Sequence, residues 1–562
     1  MRLLNFVNKH EASLFIILIL LGFFLRVWNL NKAPTELFGD EIDAGIQAYS
    51  ILKTGKDYFS NSYPVIFHSF SEYRLPVQIY SMVPTIWFFG LNEFGVRMAN
   101  VIFATLSMAG IFLLTKELIN KKVAFIALLF LIISPWHLQF SRQANDAGFV
   151  LPFIIFGTLF FLRGLTNFKS LFISAVIFSL SIYAYATASL FTPLYVLTLI
   201  IVNKNKLLSY GLKRLLILGA VVLLILAPYI KATFSGSTTN RFNYVSVFNN
   251  PQIEKESAEK IQLSDSPLTR IFYSKKSLVT LAILKNYIHA FSTDYLFLSG
   301  DADLRNSVGI MGELYYFDLI FILVGSFVIL AGYLNFKNKN LLFIWLLVAP
   351  VASSLTVDGA THAGRLLPML VPLLIFSAAG FVQIIKFAFK NKVWITIPAI
   401  SLLMAINVLY YFHRYYVVWP KESWRFWQSG FKETLKFVKD KDSGYQAVYF
   451  NNTYEPMLPR FLFWYKYDPQ LLQAQFTDDK QIDKIVPGFD GFKLGEKYYF
   501  GQLEKPVENN LDDKSIYVAS ARDDITNPEI LNGSQFNLLK TVYSPTNMPI
   551  FYVFTKAENK VQ

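Results

Sequence analysis

The chain is 562 residues long, 54% hydrophobic and only 16% charged, whereas soluble domains carry about a quarter charged residues; it reads as mainly α and polytopic in a membrane. Its net charge of +13 lies in short Lys/Arg clusters between apolar runs, the pattern of loops on one face of a bilayer rather than of a nucleic-acid stripe. The absence of cysteine excludes disulfides, thiolate metal sites and a cysteine nucleophile.

The N-terminal residues, Met1 to Glu11 and then Leu14 to Val27, have the outline of a signal peptide. The apolar stretch is long and no small-residue cleavage site follows, so an uncleaved first helix is expected. Apolar runs of about 17–25 residues suffice to cross a bilayer as helix. They place spans at Ser13–Leu30, Phe94–Leu118, Val123–Phe140, Phe149–Leu165, Leu171–Ala186, Leu190–Val202, Leu215–Ile230, Phe317–Phe336, Leu341–Val357, Leu366–Ile385 and Val393–Phe412. These eleven crossings put the termini on opposite sides. Arg2/Lys9, Lys116/Lys121/Lys122, Arg163/Lys169, Lys204/Lys206/Lys213/Arg214, Lys337/Lys339 and Lys386/Lys390/Lys392 then share one side, which the positive-inside bias makes cytoplasmic. The expectation is a plasma-membrane protein with a cytoplasmic N-terminus. The Asp40 loop, the Arg142–Asp146 turn, a long loop over about 231–316, the Asp358–Arg365 turn and the C-terminal part face outward.

Leu75–Gly90 carries Pro76 and Pro84 and is short for a span, so a juxtamembrane or re-entrant helix is expected there. Asp43–Thr54 has Ile42, Ile46, Tyr49 and Leu52 at helical spacing and ends at Gly55, an interfacial helix by its pattern. Both belong to an outer segment of about 31–93 within a membrane region of 1–419. After Trp419-Pro420 the composition changes. Arg425–Lys439 reads as helix, and Gln446–Phe450, Lys497–Phe500, Ser515–Ala519, Leu538–Tyr543 and Ile550–Thr555 read as strands, with turns at Asp490-Gly491 and Asn532-Gly533. Residues 420–562 therefore form a small extracytoplasmic α/β domain.

Phe38-Gly39-Asp40-Glu41-Ile42-Asp43 follows the first span. Three carboxylates in four residues at a membrane boundary are costly enough to suggest function. Two roles stay open for Asp40: cap of the interfacial helix, or general base taking a proton from an acceptor hydroxyl. Asp40, Glu41 and Asp43 also suit a divalent cation by ligand type, without a strict metal spacing, so no obligatory cofactor is expected. Arg74 before Leu75-Pro76, Arg142 in Ser141-Arg142-Gln143-Ala144-Asn145-Asp146, and His362 and Arg365 in the late turn are expected on the same face. Arginine forks match phosphate oxygens. For Arg142 a structural pairing is the plainer reading. Arg365 abuts a span on the side where arginine is normally avoided, which favours function. Arg97 is expected to pair with a nearby carboxylate such as Glu93, and His68, His137 and His289 to be structural. No Gly-rich phosphate cradle or nucleophile elbow is present, and an outward site lacks a supply of nucleotide sugar, so an activated donor would arrive in the membrane.

The chain resembles the GT-C superfamily of membrane glycosyltransferases, in particular the protein O-mannosyltransferases and lipid A aminoarabinose transferases. Four patterns carry the resemblance: Asp40-Glu41 with the later Thr54-Gly55-Lys56-Asp57; Glu72-Tyr73-Arg74-Leu75-Pro76; Gly90-Leu91-Asn92-Glu93-Phe94-Gly95-Val96-Arg97; and Thr361-His362-Ala363-Gly364-Arg365-Leu366-Leu367-Pro368. The resemblance implies a GT-C fold of about eleven transmembrane helices and a polyprenyl-phosphate sugar donor. Asp40 would be the catalytic base, supported by Glu41, with Arg74, Arg365 and His362 at the donor phosphate. Asp43, Arg142 and Asp146 would support the site or the acceptor, which is a protein, lipid or glycan. Arg74 stands where relatives carry Lys, and the Trp-Trp-Asp signature of oligosaccharyltransferases is missing, which disfavours transfer of whole oligosaccharides. The alternatives are a lipid or polysaccharide transporter, for which repeated halves would be expected, and a non-catalytic envelope-assembly subunit.

Overall fold

Prolines, glycines and Asn/Ser caps cut the apolar runs into helices in a computed structural model that describes residues 10–70, 73–236, 238–263, 266–334, 338, 340–391, 393, 395–475, 489–503, 511, 513–521 and 536–556. Arg2, Lys9, Glu72, Lys337, Lys339, Lys392 and the Asn532-Gly533 turn lie outside the described residues. The chain divides into two compact units, one of Met1–Trp28, Ser69–Gln78 and Met98–Tyr415, the other of Asn29–His68, Ile79–Arg97 and Tyr416–Gln562.

In the first unit the apolar helices dominate. Among the described residues, helices Glu93–Leu118, Asp146–Gly164, Leu212–Phe234, Ala363–Lys390 and Thr396–Glu422 are long and apolar enough to cross a membrane. Lys121–Ile133 and Pro135–Ser141, bent by 58°, add a sixth when taken as one span. Other expected spans fold as helices of 14 to 17 residues: Glu11–Val27, Phe168–Ser181, Ala188–Val202, Tyr316–Leu330 and Asn340–Ser354. A 15-residue helix rises about 22 Å, short of the roughly 30 Å hydrocarbon core. Tyr316–Leu330 and Leu370–Lys390 approach closely through two glycines: a Cβ on Gly325 would come within 1.9 Å of the Phe376 carbonyl, and one on Gly380 within 1.9 Å of the Phe321 carbonyl. Small residues at such crossings let membrane helices pack backbone to backbone.

The bend has a chemical cause. Pro135 has no N–H to donate and frees carbonyls upstream, which the membrane interior cannot hydrate. Arg26 meets them, donating to the Leu131 carbonyl at 3.1 Å and the Ile132 carbonyl at 3.1 Å, while the Tyr315 hydroxyl donates to the Ile133 carbonyl at 2.7 Å. His137 Nδ1 lies 2.6 Å from the same guanidinium.

In the second unit, the helix Gly39–Thr54 ends on Gly55 at φ 71, a left-handed cap that suits glycine. The pattern suggested an interfacial helix; instead it is buried nearly all round against the helices Met457–Tyr465 and Pro469–Gln475. Gln473 Nε2 donates to Ser50 Oγ at 3.0 Å, Thr54 Oγ1 at 2.9 Å and the Asp57 carbonyl at 2.8 Å. Taken in chain order, strand β1 (Phe67–His68), in this unit, and strand β2 (Tyr73–Arg74), in the first unit, are two residues each. Strands β3 (Ala447–Asn451), β4 (Phe489–Leu494), β5 (Tyr498–Leu503), β6 (Ser515–Ser520), β7 (Phe536–Tyr543) and β8 (Pro549–Lys556) form a six-stranded sheet in the order β4-β5-β3-β6-β8-β7. Its centre, β5-β3-β6, is parallel and its flanks are antiparallel. β3 and β6 are buried along their full lengths, as central parallel strands covered on both faces are. The expected turn at Asp490-Gly491 lies inside β4, and the helix expected from Arg425 begins at Phe431, after Gly430 at φ 109.

Candidate functional site

The acidic segment opens the helix Gly39–Thr54, where unpaired N–H groups and the helix dipole favour carboxylates. Its three acids have different environments. Glu41 turns inward: its Oε2 accepts the Phe38 N–H at 3.0 Å, closing the first turn, and its Oε1 pairs with Arg97 Nε at 3.0 Å. Arg97 is fully buried, donates also to the carbonyls of Leu30, Pro34 and Glu36, and takes Glu41 rather than the expected Glu93. Glu93 pairs with Lys432. Asp43 is buried and accepts the Tyr58 hydroxyl at 2.8 Å. Asp40 is exposed.

Glu36, which the sequence did not single out, braces the same segment. Its carboxylate accepts the N–H of Gly430 at 2.8 Å and of Lys432 at 2.6 Å. Burial outweighs those bonds and pushes its pKa up to about 7.

The cationic turn lies in the first unit. His362 caps the short helix Ala363–Leu366, its Nδ1 accepting the Arg365 N–H at 3.4 Å. Arg365 donates to Thr356 Oγ1 at 2.7 Å and pairs with Asp358; His362 Nε2 lies 3.9 Å from Asp358. Burial, followed by the charge of Arg365, drives the His362 pKa down to about 4, so its imidazole is neutral at physiological pH. Against the pull of burial, Arg365 holds Asp358 below the ordinary carboxylate range. Asp301 pins the turn from a neighbouring loop, its Oδ2 accepting the Ala363 N–H at 2.9 Å and the Asn306 amide at 2.9 Å. Trp136 Nε1 donates to the Ala363 carbonyl at 3.0 Å. Asp358 was legible as an acid four residues before His362; Asp301, 62 residues before Ala363, left no local signal.

The remaining candidates are also in the first unit. Arg74 is buried in β2. Arg142 is fully buried, donating to the carbonyls of Leu25 and Arg26 at 2.8 Å each and to the Tyr415 hydroxyl at 3.2 Å; it neutralises the C-terminal end of the first helix. Its turn is fixed by Asn100 Nδ2, which donates to the carbonyls of Phe140 and Gln143 at 2.5 Å each. Asp146 begins the helix Asp146–Gly164 at partial exposure. The structure thus brings His362, Arg365, Asp358 and Asp301 together in one unit, and Asp40, Glu41 and Asp43 in the other. Among the described residues no group of three or more His, Asp or Glu side chains is arranged to hold a metal ion.

Comparison with known proteins bears on the class. Residues 76–231 match the family model described as dolichyl-phosphate-mannose-protein mannosyltransferase. The matched segment includes Arg97, Arg142 and Asp146 and leaves Asp40, Arg74, His362 and Arg365 outside it. Comparison with curated protein sequences finds no match. Solved structures share the fold: ArnT from Cupriavidus metallidurans bound to undecaprenyl phosphate, at 13% identity and a TM-score of 0.52, covers 97% of this chain and 98% of its own. The apo state of ArnT also gives 0.52, at 11% identity and the same coverage. The oligosaccharyltransferase of Archaeoglobus fulgidus, in complex with Zn and sulfate, gives 0.50 at 15% identity over 96% of this chain and 72% of its own. The chain therefore shares its fold with these solved structures. The apolar helices and the shared fold fit a protein seated in a membrane.

Proposed function

We propose that the chain transfers one sugar from a polyprenyl-phosphate donor to a hydroxyl of a protein, lipid or glycan acceptor on the outer face of the membrane. The acceptor oxygen attacks the anomeric carbon as Asp40 takes its proton. The bond from that carbon to the phosphate oxygen breaks, the lipid phosphate leaves, and direct displacement inverts the configuration. Arg74 and Arg365 stabilise the charge that grows on the phosphate, with neutral His362 available as a hydrogen-bonding partner. The reaction so written carries no obligatory metal.

The observation that carries this reading is the division of labour among the three acids. Glu41 and Asp43 are buried, whereas Asp40 is exposed at the start of its helix. A general base must reach the proton that it removes, and of the three Asp40 meets that condition. The likeness to a structure of ArnT with undecaprenyl phosphate bound supports a polyprenyl-phosphate donor.

The test is transfer from a panel of synthetic polyprenyl-phosphate monosaccharides by purified protein in detergent, with cell-envelope extract as acceptor, with and without a chelator. Turnover of one donor is expected, unaffected by the chelator and reduced at least a hundredfold in Asp40→Asn with folding intact. Full activity in that variant would remove Asp40 from the chemistry. Inactivity of the native protein with every donor would shift the assignment to transport.

A further inference from the structure

Within the second unit, a polar chain from the C-terminal residues ends on the backbone immediately before Asp40. The Gly39 N–H, at the start of the helix, donates to Gln428 Oε1 at 3.2 Å. The same oxygen accepts from the guanidinium of Arg460, which rises from the helix Met457–Tyr465. The fit is close: a Cβ on Gly39 would meet Arg460 Nη2 at 3.3 Å and Gln428 Oε1 at 3.4 Å. Arg460 is 3% exposed, its guanidinium lies over the Phe431 ring at 4.4 Å, and Nη1 donates to the Pro456 carbonyl at 2.5 Å. Glu455 stands 3.9 Å away. Arg460 Nε is buried with no hydrogen-bond partner.

Stability alone does not account for this arrangement. A buried charge with an unused donor is costly, and an apolar side chain of similar volume often packs as well or better. What the arrangement does supply is a fixed geometry. Glu41 satisfies the Phe38 N–H from inside the turn and Gln428 satisfies the next N–H from outside it. Consecutive backbone groups are thereby held while the following side chain, Asp40, stays exposed. Charge points the same way: burial works against the Arg460 cation, and the carboxylates of Glu455, Glu36 and Asp40 favour it.

We propose that Gln428 and Arg460 are positioning residues for the Gly39–Asp40 turn, so that the C-terminal residues set the aim of the base. The assignment rests on Asp40 being the base, and its test has one arm that does not. Hydrogen exchange of the peptide covering residues 38–44 is followed in native protein, Gln428→Met, Gln428→Glu and Arg460→Lys, with β6 and β8 as the folding control. Exchange of that peptide at least tenfold faster is expected in Gln428→Met and Arg460→Lys, with native protection in Gln428→Glu, which keeps the acceptor oxygen, and with the strands protected throughout. In the transfer assay, kcat falls at least tenfold in the first two variants while donor KM moves less than twofold, and Gln428→Glu recovers kcat. Unchanged exchange in Gln428→Met and Arg460→Lys, or a loss carried entirely by KM, would overturn the assignment. An inactive native protein would remove the enzymatic reading alone, and the exchange arm would still decide whether the turn is held as described.

Discussion

The Glu41–Arg97 pair shows how one ion pair serves both the fold and the candidate base. Both groups are buried, at 3% and 0% exposure, and burying charges in this way is rarely a net gain over apolar packing. Removing one partner is a different matter, because the other then stays buried and unpaired. Arg97→Met strands the Glu41 carboxylate and also releases the carbonyls of Leu30, Pro34 and Glu36. It should cost about 3–5 kcal/mol, read as a fall in the thermal unfolding midpoint in detergent. The double variant Arg97→Met with Glu41→Leu should recover part of that loss, since no charge is then orphaned. Part of this was legible from the residues: an acidic cluster at a membrane edge and an arginine at a span start were visible as functional or paired groups. Which acid the arginine takes was not. Glu93 lies one helical turn from Arg97, Glu41 lies 56 residues away, and local spacing cannot choose between a neighbour and a residue the fold delivers.

At the scale of elements, the apolar runs marked the helices of the membrane region to within a few residues, because hydrophobicity over about 17 or more residues is a strong signal. The misses have physical causes. Met457–Tyr465 is rich in aromatic side chains, which favour strands as readily as helices. The loop over about 231–316 holds helices Pro251–Gln262, Pro267–Phe272 and Lys275–His289, two of them announced by Asn250-Pro251 and Ser266-Pro267, a cap followed by proline in the first helical position. The break between Ile133 and Pro135 shows an element depending on a distant side chain. Arg26 supplies donors to two carbonyls near the break, and an unsatisfied carbonyl in the membrane interior costs several kcal/mol. Arg26→Leu should therefore abolish recovery of folded protein, while Arg26→Lys, with one point charge in place of a fork, should recover part of it. Size-exclusion profiles of detergent extracts distinguish the three proteins.

For the whole molecule, the direction in which the helices face is a matter of charge, and the first unit shows how that charge is distributed. At one end of its helices Glu11 pairs with Lys116 and Lys121, and Arg163 stands 3.8 Å from Glu117. At the other end of the broken helix, the Gln139 and Gln143 amides donate to the Arg305 carbonyl and Trp136 to the Ala363 carbonyl. Lys121 and the contacts to Arg305 and Ala363 thus lie at opposite ends of the broken helix. By the positive-inside bias the Lys116 end is the one expected in the cytoplasm. Because the chain has no cysteine, single introduced cysteines report without background. In intact cells a membrane-impermeant maleimide should label Glu256→Cys and Asp513→Cys and leave Ser209→Cys unmodified until the cells are lysed. Labelling of Ser209→Cys alone would invert the orientation. The His362–Arg365 turn would then face the cytoplasm, where nucleotide sugars are available, and the argument for a lipid-linked donor would lose its premise. The expected pattern instead places the turn where no nucleotide sugar reaches it, and a polyprenyl phosphate becomes the donor that the membrane itself can deliver.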